Sequence, residues 1–275
     1  MNNHWSRRAA LVMALLAALA APVSAQNRVG EIVYLEDQVS LLRNSREVPD
    51  VDIGTALENY DLISTGPRGF AELRIDSPRV PPTTLKISPN TRFYVELNTV
   101  GGKSTTTVGM LSGSLSVKVA KISGRQQVEV ATESALMGVR GTTFDVTITP
   151  AGEVLVSSEE GQVSCIDDGG EELFASPGEA VEKRPGELFR NVPVAVSTLQ
   201  EFRKQWIAER VEAFKANALR AIGFYARRYL ALKDRFDAAY ALLDAQRDVI
   251  RKWYEEDRQD KTGGSMDVLR EKKRL

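Results

Sequence analysis

Between residue 28 and about residue 190, apolar and polar positions alternate with a period of two in many short runs. Val29–Leu35, Ala71–Ile75 and Ser114–Val119 are examples, and turn-forming residues such as Gly66 and Pro67 separate the runs. Such alternation is typical of strands with one buried face. Strands at close spacing, with no helical pattern between them, favour a sandwich, barrel or solenoid. We therefore expect a mainly β fold: a compact module, β-sandwich or β-solenoid-like, made of many short strands.

The segment from residue 136 to residue 148 shows this pattern most clearly. Two glycines, Gly138 and Gly141, bracket a turn, and Phe144, Val146 and Ile148 then alternate with polar residues. Gly141 supplies backbone freedom that a side chain would block. The segment holds no nucleophile and no metal ligand, so we expect it to contribute to packing.

After Pro193 the pattern changes to that of a helix. From Thr198 to about Asp260 there is no proline and a single glycine, Gly223, and strong helix formers dominate. Apolar residues recur mostly three and four positions apart in alternation, which is typical of a helix with one apolar stripe. The exceptions are two consecutive steps of four that meet at Tyr225, and Gln246, which fills one apolar slot. The stripe comprises Ile207, Val211, Phe214, Ala218, Ala221, Tyr225, Tyr229, Leu232, Phe236, Ala239, Leu243, Ile250 and Trp253.

This helical stretch is compatible with two arrangements. One long helix would reach about 90 Å at 1.5 Å per residue and would need a partner along much of its length, as in a coiled coil. Alternatively, the chain could bend near Gly223 into a helical hairpin. A single glycine makes a poor turn, which favours the long helix.

The first 25 residues have the features of a secretory signal peptide. Arg7 and Arg8 form a positive start, an apolar stretch follows, and Val23-Ser24-Ala25 fits a cleavage site. The apolar stretch is shorter than the about 20 residues that a spanning helix needs. We therefore expect an exported protein of the periplasm or cell envelope, with no transmembrane segment in the mature chain.

These patterns divide the chain into four segments. Residues 1–25 are the signal peptide, 26–192 the β domain, 193–260 a coiled-coil-like helical region and 261–275 a flexible basic tail. Charge follows the same division, since residues 26–197 carry 16 Lys and Arg against 24 Asp and Glu, whereas residues 198–275 carry 18 against 13.

The composition argues against most catalytic and metal chemistry. The sole histidine, His4, lies in the signal peptide, so a mature chain would have no Ser/His/Asp or Cys/His site and no zinc site that uses histidine. The single cysteine, Cys165, shares a strand face with Val163 and is expected to be buried. Asp167-Asp168-Gly169-Gly170-Glu171 lacks the alternating acidic spacing of a calcium loop. We expect no catalytic residues, no metal and no cofactor.

Three motifs resemble the FecR domain, which is known from periplasmic regulators of iron uptake. The first runs from Asp61 through Thr65 to Leu73, and the second is Val108–Leu115 around Gly113. The third is Val139-Arg140-Gly141-Thr142-Thr143-Phe144-Asp145-Val146, followed by a strand that begins at Gly161. The resemblance covers roughly residues 50–185 and implies structural roles for Asp61, Thr65, Gly113, Gly141, Thr142, Phe144 and Gly161.

The resemblance implies an exported module that binds another protein or an envelope component. The regulators of that family carry a cytoplasmic anti-sigma segment and a transmembrane helix before the domain, where this chain has a signal peptide. We therefore expect a non-enzymatic binding or scaffold protein, possible homo-oligomers through the C-terminal helix, and no nucleic-acid partner. The alternative is a ligand-sensing module related to the regulators. Candidate interface residues are Trp206, Phe214, Tyr229, Phe236 and Trp253.

Overall fold

A computed structural model describes residues 28–76, 80–100, 103–120, 126–139 and 141–258. The predicted signal peptide and the predicted basic tail both lie outside these residues. Chain contacts divide the protein into two compact units, residues 1–212 and residues 213–275.

The first unit contains a sandwich of two strand layers, and the described residues form 17 strands in all. In the front layer the neighbouring strands are, in order, β4 (Ala56–Glu58), β1 (Arg28–Glu36), β6 (Phe70–Ile75), β7 (Thr83–Ile87), β9 (Lys103–Val119), β12 (Thr143–Ile148), β13 (Val154–Glu160), β16 (Glu179–Lys183) and β17 (Arg190–Pro193). In the back layer they are β3 (Arg46–Glu47), β2 (Val39–Arg43), β5 (Leu62–Thr65), β8 (Arg92–Val100), β9, β10 (Gln126–Ala131), β11 (Ala135–Val139), β14 (Val163–Asp167) and β15 (Glu172–Ala175).

The long strand β9 belongs to both layers. Its first part pairs with β8 and, in parallel, with β10, and its second part pairs with β7 and β12. The change of partners occurs at Gly113, whose φ of +93° is a conformation that favours glycine. The bend at Gly113 therefore joins the two layers into one hydrogen-bonded structure.

Alternating side chains from both layers meet in a single apolar core. Leu73, Leu85 and Phe144 enter it from the front layer, and Ile63 and Phe93 enter it from the back layer, all with no exposed surface. The prediction of a mainly β, sandwich-like module is confirmed.

The C-terminal region is helical, as predicted. After a 3-10 turn at Val196–Thr198 come α1 (Leu199–Ala216), α2 (Ala218–Ala245) and α3 (Arg247–Arg258). Gly223 lies inside α2, which continues through it, so the predicted alternative of a hairpin at Gly223 is wrong. The single long helix is not formed either, because the helix is interrupted at Asn217 and Gln246, whose φ values are −121° and −110°. The described helices include none that is long and apolar enough to cross a membrane.

The first part of α1 belongs to the first unit and packs on the outer face of the front layer. Leu199 and Trp206 of α1 form a second small core with Leu155 of β13 and Ala180 of β16. The front layer is therefore covered on both faces along these strands, which explains why β13 begins with five consecutive buried residues.

Candidate functional site

Asp61, the first predicted motif residue, lies at the centre of an ion-pair network. Arg43 of β2 donates to both of its carboxylate oxygens, at 2.9 Å from Nε and 2.7 Å from Nη2. The same guanidinium donates to Glu58 and to the carbonyl of Ala56, and the backbone N–H of Glu58 donates to Asp61. Asp61 thus fixes the turn between β4 and β5 against β2, which is a structural role.

Thr65 and Gly113 lie at a corner where threonine hydroxyls hold the backbone. The Thr65 hydroxyl donates to the Ser88 carbonyl at 2.7 Å and accepts the Thr91 N–H at 3.0 Å. The Thr91 hydroxyl repeats the arrangement by donating to the Ser114 carbonyl and accepting the Ser114 N–H. A Cβ at Gly113 would lie 2.4 Å from the Thr91 Cα, so glycine is required there by space as well as by φ.

Gly141, Thr142, Phe144 and Gly161 lie together where β12 leaves its turn. Gly141 and Gly161 have φ of +74° and +78°, and a Cβ at Gly161 would lie 2.7 Å from a methyl carbon of Thr142. The Thr142 carbonyl accepts the N–H of Val119 at 2.9 Å, and Phe144 fills the core beyond it. The structure places all seven predicted motif residues at turns, corners or in the core, and Gly113 also lines the groove that is described below.

Sequence reasoning missed Asp145, which lies on the outer face of β12 beneath α1. It is only 3% exposed, and its Oδ2 lies 2.7 Å from Nη1 of Arg203. Burial raises the pKa of Asp145, and the Arg203 charge opposes that rise. The period-two pattern marked this position as solvent-facing, because nothing in the local sequence shows that a helix covers this face.

A groove of about 600 Å³ lies between α1 and the corner of the sandwich. Pro89, Ile148, Pro150, Ile207 and Val211 supply apolar walls. Gln200, Arg203 and Lys204 project from α1, and Gly113 and Ser114 contribute to the opposite side. The groove offers apolar contact together with hydrogen-bond donors, and nothing in it suggests covalent chemistry.

The acidic turn after β14 is satisfied by the protein itself. Asp167 accepts the backbone N–H groups of Gly169 and Glu171 and lies 3.3 Å from the ammonium of buried Lys183, which also lies 2.6 Å from Asp168. The Lys183 ammonium thus pairs with both carboxylates of the turn. Within the described residues, no three or more His, Cys, Asp or Glu side chains are arranged to hold a metal.

Cys165 is fully buried in the core, as predicted. Burial raises the pKa of its thiol to about 12, so the thiolate that would react is not formed at neutral pH.

The candidate interface residues have different environments. Trp206 is buried against its own chain and Phe214 is half-buried, whereas Tyr229 and Phe236 are 64% and 66% exposed. The side chain of Trp253 lies outside the described part of the chain.

Tyr229 and Phe236 belong to a row of exposed apolar residues that we name the C-terminal stripe. Its members recur alternately three and four positions apart along α2 and α3, with Gln246 in the one polar slot, and the large ones are 37–66% exposed. They are Ile222, Tyr225, Tyr229, Leu232, Phe236, Ala239, Leu243 and Ile250. A contiguous apolar row of this kind marks an interaction site more often than isolated apolar residues do.

Comparison with known proteins bears on the β module. Residues 61–164 match the model of the FecR protein family. A search of curated proteins gave no match to the chain.

Two crystal structures of a protein from Parabacteroides distasonis ATCC 8503, provisionally described as an anti-sigma factor, resemble the fold at a distance. One has 17% identity and a TM-score of 0.41 and covers 50% of this chain; the other has 16%, 0.42 and 51%. The chain spans 62% and 63% of the lengths of those structures, and likeness at this level supports no functional conclusion. Residues 61–164, which the FecR model matches, contain all three motifs whose resemblance to the FecR domain was noted from the sequence.

Proposed function

We propose that the chain is an exported, non-enzymatic binding or scaffold protein of the periplasm or cell envelope. In this proposal the FecR-containing sandwich is a rigid module, and the C-terminal stripe associates with another protein or an envelope component. The observation that carries the proposal is the exposure of the stripe over most of the length of α2 and into α3.

Physical cost supports an interface on the stripe. Burying one large apolar side chain contributes about 1.5–3 kcal/mol, so a row of such side chains left in water forgoes a large stabilisation. A partner that covers the stripe recovers this free energy. The large side chains to which this applies are Ile222, Tyr229, Leu232, Phe236, Leu243 and Ile250. Isolated helices also gain most of their stability from packing of an apolar face.

The stripe has the spacing of a coiled coil but only some of its preferred residues. Two-stranded coiled coils favour Ile or Val at one core position and Leu at the other. Ile222, Ile250 and Leu232 fit this preference. Tyr229 and Phe236 at the first type of position, and Ala239 and Gln246 at the second, do not. Homo-oligomers through this helix remain one form of the proposal, but the residues favour a different partner.

The absence of an enzymatic role is supported by composition and by geometry. A mature chain that begins near residue 26 has no histidine, and its one thiol is buried with a raised pKa. Among the described charged side chains, Asp61 and Asp167 each pair with a basic residue inside the fold.

A ligand-sensing module is the alternative, and the groove beside α1 favours it specifically. A cavity of about 600 Å³ falls within the range of small-molecule sites, which is about 300–1,000 Å³. A ligand there would contact both the sandwich corner near Gly113 and the helix face around Ile207. Binding could then alter the packing of α1 against the sandwich.

The experiment that tests the proposal is photo-crosslinking in the native host. A photoreactive amino acid replaces Phe236 in the stripe or, as the matched control, Leu230, which is 60% exposed but lies off the stripe. The proposal predicts strong adducts from position 236 and weak adducts from position 230. Equal labelling from the two positions, or none from either, would contradict it.

A further inference from the structure

The charged residues that flank the C-terminal stripe are basic, whereas the side away from the stripe carries both signs. With Tyr229, Phe236 and Leu243 taken as the first position of successive heptads, Lys233, Arg235 and Arg247 fall at the two positions that flank the stripe. The acidic residues of residues 218–252 all fall on the side away from the stripe: Asp234, Asp237, Asp244 and Asp248. Lys233 pairs with Asp237 and Arg247 with Asp244, so each of these ion pairs joins a flank to the far side.

We propose that the stripe docks on an anionic lipid bilayer surface, with α2 and the start of α3 lying in the interface plane. This inference rests on the proposed function, which makes the stripe the association surface, and it names the occupant of that surface. A helix with an apolar aromatic face and basic residues beside it is the type that binds an anionic membrane surface.

Charge argues against a second copy of the chain as the occupant. In a coiled coil the flanking positions of the two helices face each other. Within the described side chains of α2 and α3 the charged flanking residues are Lys233, Arg235 and Arg247, all basic, so two copies would bring like charges together. An anionic surface instead attracts all three.

The side chains of the stripe also suit a lipid interface. Tyr229 is an aromatic residue with a polar tip, the type enriched at bilayer interfaces, and Phe236 adds an apolar ring to the same face. The Phe236 ring stacks with that of Tyr240 at a centroid distance of 5.9 Å. Lys233 and Arg235 can extend their aliphatic stems along the apolar face and keep their charges at the headgroups. The aspartates on the far side would face water.

Co-sedimentation with vesicles tests the inference. The purified chain, starting at residue 26, is mixed with phosphatidylcholine vesicles with or without one third phosphatidylglycerol. We expect at least tenfold tighter binding to the anionic vesicles and a marked loss in 0.5 M salt. Variants test which face of the helix binds. Phe236→Glu and Arg235→Glu should each weaken vesicle binding at least fivefold. The matched controls Leu230→Glu and Arg227→Glu make the same charge changes on the side away from the stripe and should change vesicle binding less than twofold. Unchanged circular dichroism verifies that each variant keeps its helices.

The outcomes separate this inference from the proposed function. Equal binding to neutral and anionic vesicles, or equal loss in stripe and control variants, would overturn the bilayer assignment. Protein adducts from position 236 in the crosslinking experiment, together with no vesicle binding, would overturn it while the proposed function stands. No adducts and no vesicle binding would contradict both.

Discussion

Phe144→Ala should destabilise the sandwich by about 3–5 kcal/mol, the range for removing a fully buried phenylalanine. Phe144 has no exposed surface, and a buried phenylalanine removes about 150–250 Å² from water. At about 25 cal/mol per Å² this contributes about 4–6 kcal/mol, of which alanine keeps a part. Strand β12 is hydrogen-bonded on both sides, to β9 and β13, so the backbone cannot collapse into the cavity.

Urea unfolding measures this loss. Trp206 packs on the outer face of the front layer, so its fluorescence reports unfolding of the first unit in a chain that starts at residue 26 and carries Trp253→Phe, which leaves Trp206 as the single tryptophan. With a slope of about 2 kcal/mol per M, the midpoint should fall by about 1.5–2.5 M. Phe236→Ala is the matched control, because Phe236 is 66% exposed and its removal should change stability by less than about 0.5 kcal/mol. Similar midpoints for the two variants would refute the assignment of Phe144 to the core.

Three other predictions follow from buried groups. Asp61→Asn should lower the free energy of unfolding in urea by about 2–3 kcal/mol, because charge-assisted hydrogen bonds from Arg43 are weakened. The control Arg74→Ala removes an exposed ion pair with Glu31 and should lower it by less than about 1 kcal/mol. Equal losses in the two variants would contradict the buried network. Burial raises the pKa of the Cys165 thiol to about 12, so the folded protein should not react with a thiol reagent at pH 8. In denaturant Cys165 should react fully. Rapid labelling of the folded protein would show instead that the thiol is accessible. Burial alone would raise the pKa of Glu182, but hydrogen bonds from Arg190 and Arg184 lower it below the ordinary 4.5. Glu182 therefore contributes stability above pH 4.5 that is lost as the pH falls through the lowered pKa, so Glu182→Gln should be most destabilising at neutral pH and approach wild type in acid; a deficit independent of pH would refute this.

The strands could be predicted from the sequence because their pattern is local. Alternation at Phe144, Val146 and Ile148 needs only neighbouring residues to identify a buried face, and the structure buries all three. The turn glycine Gly141 was also predicted from its local pattern, and its φ is +74°. The positive φ of Gly113 and Gly161 could not be predicted in this way, because glycine permits that conformation without requiring it.

The outer face of β12 could not be predicted in the same way. Asp145 is buried only because α1, more than 50 residues later, packs over it and supplies Arg203. For the same reason Trp206, predicted to be an interface anchor, is buried against Leu155 and Ala180 of its own chain. A stripe shows that a helix face is apolar, but which surface covers that face depends on contacts distant in sequence.

The helical region shows the other limit. The spacing of Tyr229, Phe236 and Leu243 predicts one apolar stripe on a helix, and α2 has it. The sequence alone does not show whether that stripe is covered by the rest of the chain. The structure leaves it exposed, and the partner is inferred from that exposed surface.

The central claim is that the C-terminal stripe, and not the sandwich, attaches the protein to its surroundings. The most direct measurement is the fraction of the chain retained with the cell envelope in the native host, for wild type, Phe236→Glu and Leu230→Glu. The account predicts that Phe236→Glu releases most of the protein, that Leu230→Glu releases little, and that all three melt at the same temperature. Retention of Phe236→Glu at the wild-type level would contradict it.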